Sequence, residues 1–279
     1  MPPPPRANPR VICNVLFQDE EVIVLDKPAG TVTQPGAGHR DDSLMNGLFA
    51  VEGVQQTRLG SERDFGLLHR LDRETSGVVV VARTERAYDA IRKQFENRTI
   101  EKTYFAVLQG RLPRVEGVCE QPLSEIRRGD MKVSVASQRG ESAITYWKTI
   151  ASSANHLLVA CAIESGKLHQ IRAHMALLGA PVVGDRIYRS LLPPNTSRPP
   201  ENQRAAPPAL RLHAWRLAFV HPVTRARIEI DAPIPQAMAQ AIAPALGLPA
   251  TSVPSAAALA RLTALIQGTR WWEAKKTTP

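Results

Sequence analysis

The spacing of apolar and polar positions changes repeatedly along the chain, and each change predicts an element. From Val15, the apolar "VLF", the turn-like "QDEE" and the apolar "VIVLDKPAG" predict a β-hairpin that ends in a Pro-Gly turn. "TVTQPGAG" continues as extended chain, and "DDSLMNGLFAV" opens a helix with Asp42 or Ser43 as its cap. "GVVVVAR", residues 77–83, is β-branched and apolar on both faces, so it predicts a buried central strand. In "TERAYDAIRKQFENR", Ala87, Ala90, Ile91 and Phe95 recur at helical spacing, which predicts a helix over about 85–97 capped by Thr84. "EKTYFAVLQG" alternates as a strand, with Tyr104, Ala106 and Leu108 on one side and Phe105 and Val107 on the other.

Residues 122–147 predict a hairpin with a basic tip carrying Arg127, Arg128, Lys132 and Arg139. "HLLVACAIE", residues 156–164, is a further strand. "LHQIRAHMALLG" predicts a helix with an apolar stripe of Leu168, Ile171, Met175 and Leu178, stopped by Gly179 and Pro181. Residues 190–209 form a polar, Pro-rich loop longer than most connections, and "LRLHAWRLAFVHP" returns to strand. Past Pro233 the chain is Ala-rich and interrupted by prolines. There Ala257, Leu259, Ala260, Leu262, Leu265 and Ile266 predict one amphipathic helix.

Strands outnumber helices and do not alternate strictly with them. The expected class is therefore α+β, with a largely antiparallel or mixed sheet. Residues 1–10, "MPPPPRANPR", are Pro-rich and expected to be disordered. The main domain is expected over 11–233, with 234–279 as a helical C-terminal appendage. There is no GxGxxG or GxxxxGK[ST], so neither dinucleotide nor P-loop chemistry is indicated.

Composition narrows the setting. The chain has 279 residues and a formal charge of +9, which favours an anionic partner, RNA or DNA first. No run of about 18 apolar residues exists to span a membrane, and the N-terminus has no apolar core of a secretory signal. Cys13, Cys119 and Cys161 have no CxxC spacing, which argues against a disulfide framework or a zinc site and for a reducing cytoplasm.

Chemistry concentrates at "LLHRLDRETSG", residues 67–77. Asp72 lies between Arg70 and Arg73 in a polar run that feeds the most apolar strand. Local sequence alone favours a solvated ion-paired loop. Against that, rigid scaffolds present reactive groups from such loops, neighbouring cations favour a charged carboxylate, and that carboxylate is a nucleophile. Arg70 and Asp72 are two apart, so extended chain points both to one side. In "GKLHQIRAH", His169 and His174 are five apart and do not share a helical face, so a metal site is not expected. Arg172 sits at the edge of the apolar stripe. Tyr104 is a strand tyrosine, able to pack, to stack on a base or to move a proton.

In combination, "HRLDRETSG", "KTYFAVLQG" and "SGKLHQIRAHMALLGAPVVGDRIY" resemble the signature motifs of the RluA family of RNA pseudouridine synthases. "VLFQDEEVIVLDKPAGTVTQPG" and "LHAWRLAFVHP" resemble them too, in the same order, over roughly three-quarters of the chain. The resemblance implies a bent, mostly antiparallel sheet in two halves flanked by helices, with a central catalytic cleft. It implies isomerisation of uridine to pseudouridine in rRNA or tRNA, with no cofactor and no metal. Asp72 matches the family's essential aspartate, the nucleophile that attacks a flipped-out nucleoside. Tyr104 matches the tyrosine that stacks on the target base, and Arg172 the arginine that pairs with the aspartate; these three make the implied catalytic set. Arg70 matches the arginine that fills the space left by the flipped nucleotide. His69, Leu168 and Ile171 complete the implied substrate-binding wall. Base extrusion costs a few kcal/mol, which a cation and an aromatic face help to offset. The family usually has Arg-Thr where this chain has Lys167-Leu168. A lysine keeps the charge and loses the planar fork.

The expected protein is thus a cytoplasmic monomer that contacts RNA backbone through Arg127, Arg128 and Lys132 and uses no membrane. Two rivals remain at this point. One is a non-catalytic RNA-binding or assembly protein on the same fold, which has no need of the Asp72, Arg70, Tyr104 and Arg172 set. The other is a nucleoside hydrolase with Glu74 as its second carboxylate.

Overall fold

The computed structural model describes residues 3–153, 156–190, 209–249, 254–266 and 272–273. The chain begins with strands β1 (Asn14–Gln18) and β2 (Val22–Lys27), helix α1 (Leu44–Leu59) and a 3-10 segment (Ser61–Gly66). Strand β3 (Ser76–Ala82), helix α2 (Glu85–Glu96) and strand β4 (Glu101–Gln109) follow. Next come β5 (Glu116–Cys119), β6 (Leu123–Arg128), β7 (Met131–Ala136), β8 (Thr145–Ser152) and β9 (His156–Ile163). Helix α3 (Gln170–Leu177) and the single-turn α4 (Arg186–Arg189) precede β10 (Leu212–Val220) and β11 (Arg227–Asp231). Helix α5 (Gln236–Ile242), a 3-10 turn (Ala243–Leu246) and α6 (Ala256–Ala264) complete the order. The class is α+β with a mostly antiparallel sheet, as expected.

These elements form two compact units: Met1–Lys102 with Ala214–Pro233, and Thr103–His213 with Ile234–Pro279. The chain passes from one to the other inside β4 and again inside β10.

In the first unit the strands run in the order β1, β2, β3, β10, with β11 pairing β10. The β1–β2, β2–β3 and β10–β11 pairs are antiparallel. Every residue of β3 is buried, as its two-sided apolar sequence predicts. Val78 and Val80 pack with Val22 and Val24 of β2, Ala87 and Ile91 of α2, and Leu217 and Phe219 of β10. Each fully buried side chain of this size contributes about 1.5–3 kcal/mol. Gly77 has φ +117, and an added Cβ would lie 2.1 Å from the Ala214 carbonyl oxygen, so β3 meets β10 only because this residue has no side chain. Thr84 caps α2 by accepting from Ala87 N–H. Ser43, rather than Asp42, caps α1, in a reciprocal box with Asn46. Asn46 Nδ2 also donates to the Arg6 carbonyl at 2.7 Å, and Asn8 N–H donates to the Asn46 carbonyl at 2.9 Å. The Pro-rich start, expected to be disordered, is therefore fastened to α1 at Arg6 and Asn8.

In the second unit β4, β9, β8 and β5 follow one another in antiparallel order. The hairpin expected over 122–147 is shorter. Only β6 and β7 form it, around Gly129 and Asp130, while Thr145–Ser152 joins the larger sheet. Met238, Ala239, Ile242 and Ala243 of the C-terminal segment are buried, and the 3-10 turn packs on β8 and β9. Helix α6 lies where the Ala-rich pattern predicts one, with Leu265 exposed and Ile266 buried just past its end. Most of the predicted 190–209 loop, from 191 to 208, falls outside the described residues.

Candidate active site

The loop that carries Asp72 leaves the 3-10 segment at Leu67 and enters β3 at Ser76. It alternates as extended chain should: Arg70 is exposed, Leu71 buried and Asp72 half-buried. Both backbone groups of Leu71 are tied to one side chain. Thr33 Oγ1 donates to the Leu71 carbonyl at 2.9 Å and accepts its N–H at 3.1 Å. Thr75 N–H donates to the Asp72 carbonyl at 3.0 Å, closing a turn over Arg73 and Glu74, which are themselves paired at 3.3 Å.

A buried lysine braces this turn. Lys27, the last residue of β2, is fully buried, and its ammonium donates to the carbonyls of Arg73 (3.0 Å), Thr31 (2.6 Å) and Pro28 (3.0 Å). Burial pushes its pKa down to about 8, and the carboxylates of Asp72, Glu74 and Asp26 oppose that shift. Gly30 N–H adds a bond to the Arg73 carbonyl at 2.8 Å. The "DKPAGT" segment, the end of β2 and the turn that follows it, thus forms the floor under the Asp72 turn. The sequence reading grouped it with the family motifs and assigned Lys27 and Thr33 no part. An apolar strand ending in a lysine that the next turn encloses was the available signal.

His69, expected at the substrate wall, is turned into the scaffold. Its Nε2 accepts the Val80 N–H of β3 at 3.0 Å, and its ring lies 5.1 Å from the ring of Phe95 on α2. Enclosure lowers its pKa to about 3, with nearby Lys102 acting in the same direction, so the imidazole is neutral. It anchors the start of the loop.

The remaining candidates lie in the second unit. Tyr104 of β4 stands opposite Cys161 of β9 and is 9% exposed. Ile171 is buried on α3 and Leu168 half-buried in the turn before it. That turn is fixed by Gln170, whose Oε1 accepts from Ser165 Oγ and Lys167 N–H at 2.8 and 3.1 Å. Lys167, at the departure from the family pattern, pairs with Glu141. Arg172 is buried. Its Nε and Nη2 donate to the two carboxylate oxygens of Asp185 at 2.7 and 3.1 Å, and its guanidinium lies 5.3 Å from the Tyr188 ring centre. Asp185 Oδ1 also accepts the N–H groups of Ile187 and Tyr188, both at 3.0 Å, and so caps α4. "GDRIY" belonged to the quoted motifs, but neither Asp185 nor Tyr188 was singled out. His174 of α3 is buried between Thr145 Oγ1 (2.8 Å) and the Gln121 carbonyl (3.0 Å), whereas His169 precedes the helix and meets the Tyr188 hydroxyl at 3.2 Å. Arg127, Arg128 and Lys132 are exposed near the β6–β7 tip, where Arg127 stands opposite Lys132 and Lys132 pairs with Glu125 at 3.3 Å.

With this geometry in place, known proteins give the class. A family model described as RNA pseudouridylate synthase matches residues 21–177. A ribosomal large subunit pseudouridine synthase D of Xanthomonas campestris is 37% identical over 225 residues, covering 80% of this chain and 66% of the relative. The protein of that description in Zymomonas mobilis is 32% identical over 243 residues, covering 85% and 74%. The solved structure of human RNA pseudouridylate synthase domain containing 1 shares the fold, with TM-score 0.63 and 20% identity over 92% of this chain and 96% of that one. The class is thus that of RNA-modifying isomerases, and the reading as a non-catalytic binder is not supported. The chain belongs to the RNA pseudouridylate synthase family, within which its motifs are of the RluA type.

Proposed function

We propose that this chain isomerises uridine in ribosomal RNA of the large subunit, with Asp72 as its nucleophile. The observation that carries the assignment of Asp72 is its mounting. A half-buried carboxylate on a turn held by Lys27, Thr33 and Gly30 is kept in place without the turn having to reorder during reaction. The RNA class rests on the relatives named for the ribosomal large subunit.

In the reaction the bond between ribose C1′ and uracil N1 breaks. The uracil turns, a C1′–C5 bond forms, and the C5 proton leaves while N1 gains one, so the net change is an isomerisation. Asp72 attacks the target nucleoside. Tyr104 and Arg172 take the parts that the family resemblance implies: the stacking aromatic that assists removal of the C5 proton, and the cation that pairs with the aspartate. Arg70, exposed two residues before Asp72, is the group that fills the space of the extruded nucleotide. Leu168 and Ile171 supply apolar wall, and Arg127, Arg128 and Lys132 supply phosphate contacts.

Because the C5 hydrogen is lost, tritium release from a [5-³H]uridine-labelled large-subunit ribosomal RNA transcript reads the reaction directly. Wild-type protein is expected to release tritium, and Asp72→Asn to lose at least 1,000-fold in rate while retaining RNA affinity. Turnover by Asp72→Asn, or none by the wild type, overturns the proposal. Free uracil in place of pseudouridine would identify the hydrolase instead.

A further inference from the structure

We infer that Asp185 and Tyr188 are positioning residues for the reaction, and that together they set Arg172. The inference rests on the assignment of Arg172 made above. Arg172 is held from two directions. Asp185 grips Nε and Nη2 in a bidentate pair, which fixes the plane of the guanidinium as well as its location. The Tyr188 ring covers the guanidinium at 5.3 Å and so limits rotation about the side-chain torsions. Asp185 has no exposed side-chain surface and Arg172 only 7%, so water competes poorly for either contact.

Tyr188 is itself fixed at its far end. Its hydroxyl accepts the Ser134 N–H of β7 at 2.9 Å and stands 3.2 Å from His169 Nδ1. Ser134 Oγ donates to the Leu168 carbonyl at 2.5 Å. One residue of the basic hairpin therefore touches both Tyr188 and the turn that begins α3. His169, in that turn, has φ 53, a left-handed conformation that costs energy in a non-glycine residue and persists where surrounding contacts determine it. Asp185, Tyr188, His169 and Ser134 form a continuous frame around Arg172, and none of them needs to meet the RNA. The frame also joins the foot of the hairpin, whose tip is exposed and cationic, to the arginine assigned to the reaction.

The test uses the full-length protein and the tritium-release assay on the same labelled transcript, run well below the melting temperature of each variant. Asp185→Asn keeps an oxygen to cap α4 but loses the charged bidentate pair, and its kcat is expected to fall at least 10-fold with KM within twofold of wild type. Tyr188→Phe keeps the ring over Arg172 but loses the hydroxyl, with an expected 3- to 10-fold fall in kcat and no change in KM. Asp185→Glu restores the charge, and its kcat is expected above that of Asp185→Asn. Wild-type kcat in both Asp185→Asn and Tyr188→Phe overturns the inference, as does a loss confined to KM or to melting temperature. If Asp185→Asn does not fold, Tyr188→Phe decides by the same criteria. Asp72→Asn is measured alongside. Activity there would sink the assignment of the reaction, whereas an inactive Asp72→Asn beside two fully active frame variants sinks only the frame.

Discussion

His69 shows how a residue near the proposed nucleophile Asp72 can serve by staying uncharged. Its Nε2 accepts a strand N–H, so protonation of that nitrogen would break the bond that anchors the loop. With the folded pKa lowered to about 3 and an unfolded value near 6.5, the unfolded chain binds a proton between these limits and the native protein does not. Stability is therefore full above about pH 6.5 and lost as pH falls from there toward 3. Urea unfolding at pH 7 and pH 5 is expected to show His69→Gln losing roughly 1–2 kcal/mol less than wild type over that step. Equal losses would mean that the ring is solvated and titrates normally. At this scale the chain was partly readable. Arg70 and Asp72 alternate around a buried Leu71 as local spacing implies. The brace from Lys27 arrives from 46 residues away and that from Thr33 from 38, and no local pattern encodes such a meeting.

Among the elements, those with strong periodicity were legible. β3, α2, β9, α3 and β10 lie close to their predicted places, because burial on one or both faces leaves a clear pattern. The short β5 and the single-turn α4 carry too few residues for a pattern, and they depend on neighbours for pairing or packing. The 122–147 segment was read as one hairpin because its strand-like stretches are similar. Pairing of Thr145 with both Cys119 and Ile163 shows instead that the third stretch belongs to the larger sheet. The true hairpin projects Arg127, Arg128 and Lys132 with only Glu125 as a described acidic partner. Replacing Arg127 and Arg128 by alanine is expected to weaken RNA binding and to flatten the log–log dependence of affinity on salt by roughly 1.4–1.8. An unchanged slope in a filter-binding salt series would remove the hairpin from the RNA contact surface.

At the scale of the whole molecule, the C-terminal segment is part of a unit's packing. Met238 and Ile242 are buried, and the turn after α5 lies on β8 and β9. Truncation after Pro233 is expected to lower the melting temperature by roughly 5–15 °C, since each of those apolar side chains contributes about 1.5–3 kcal/mol. An unaltered melting temperature would make the segment dispensable to the fold. The order of the chain through the two units has a consequence for biosynthesis. The first unit is interrupted after Lys102 and resumes at Ala214, inside β10, the strand that borders β3 on the side away from β2. A ribosome adding about 5–20 residues per second needs roughly 5–20 s to make the intervening stretch of about 110 residues. For that interval Leu67 and His69 already cover β3 at Val81 and Val80, but its start around Gly77, which β10 later covers, has backbone groups open to strand addition from neighbouring nascent chains. Chaperone capture during translation should therefore peak before residue 214 and fall as β10 clears the exit tunnel.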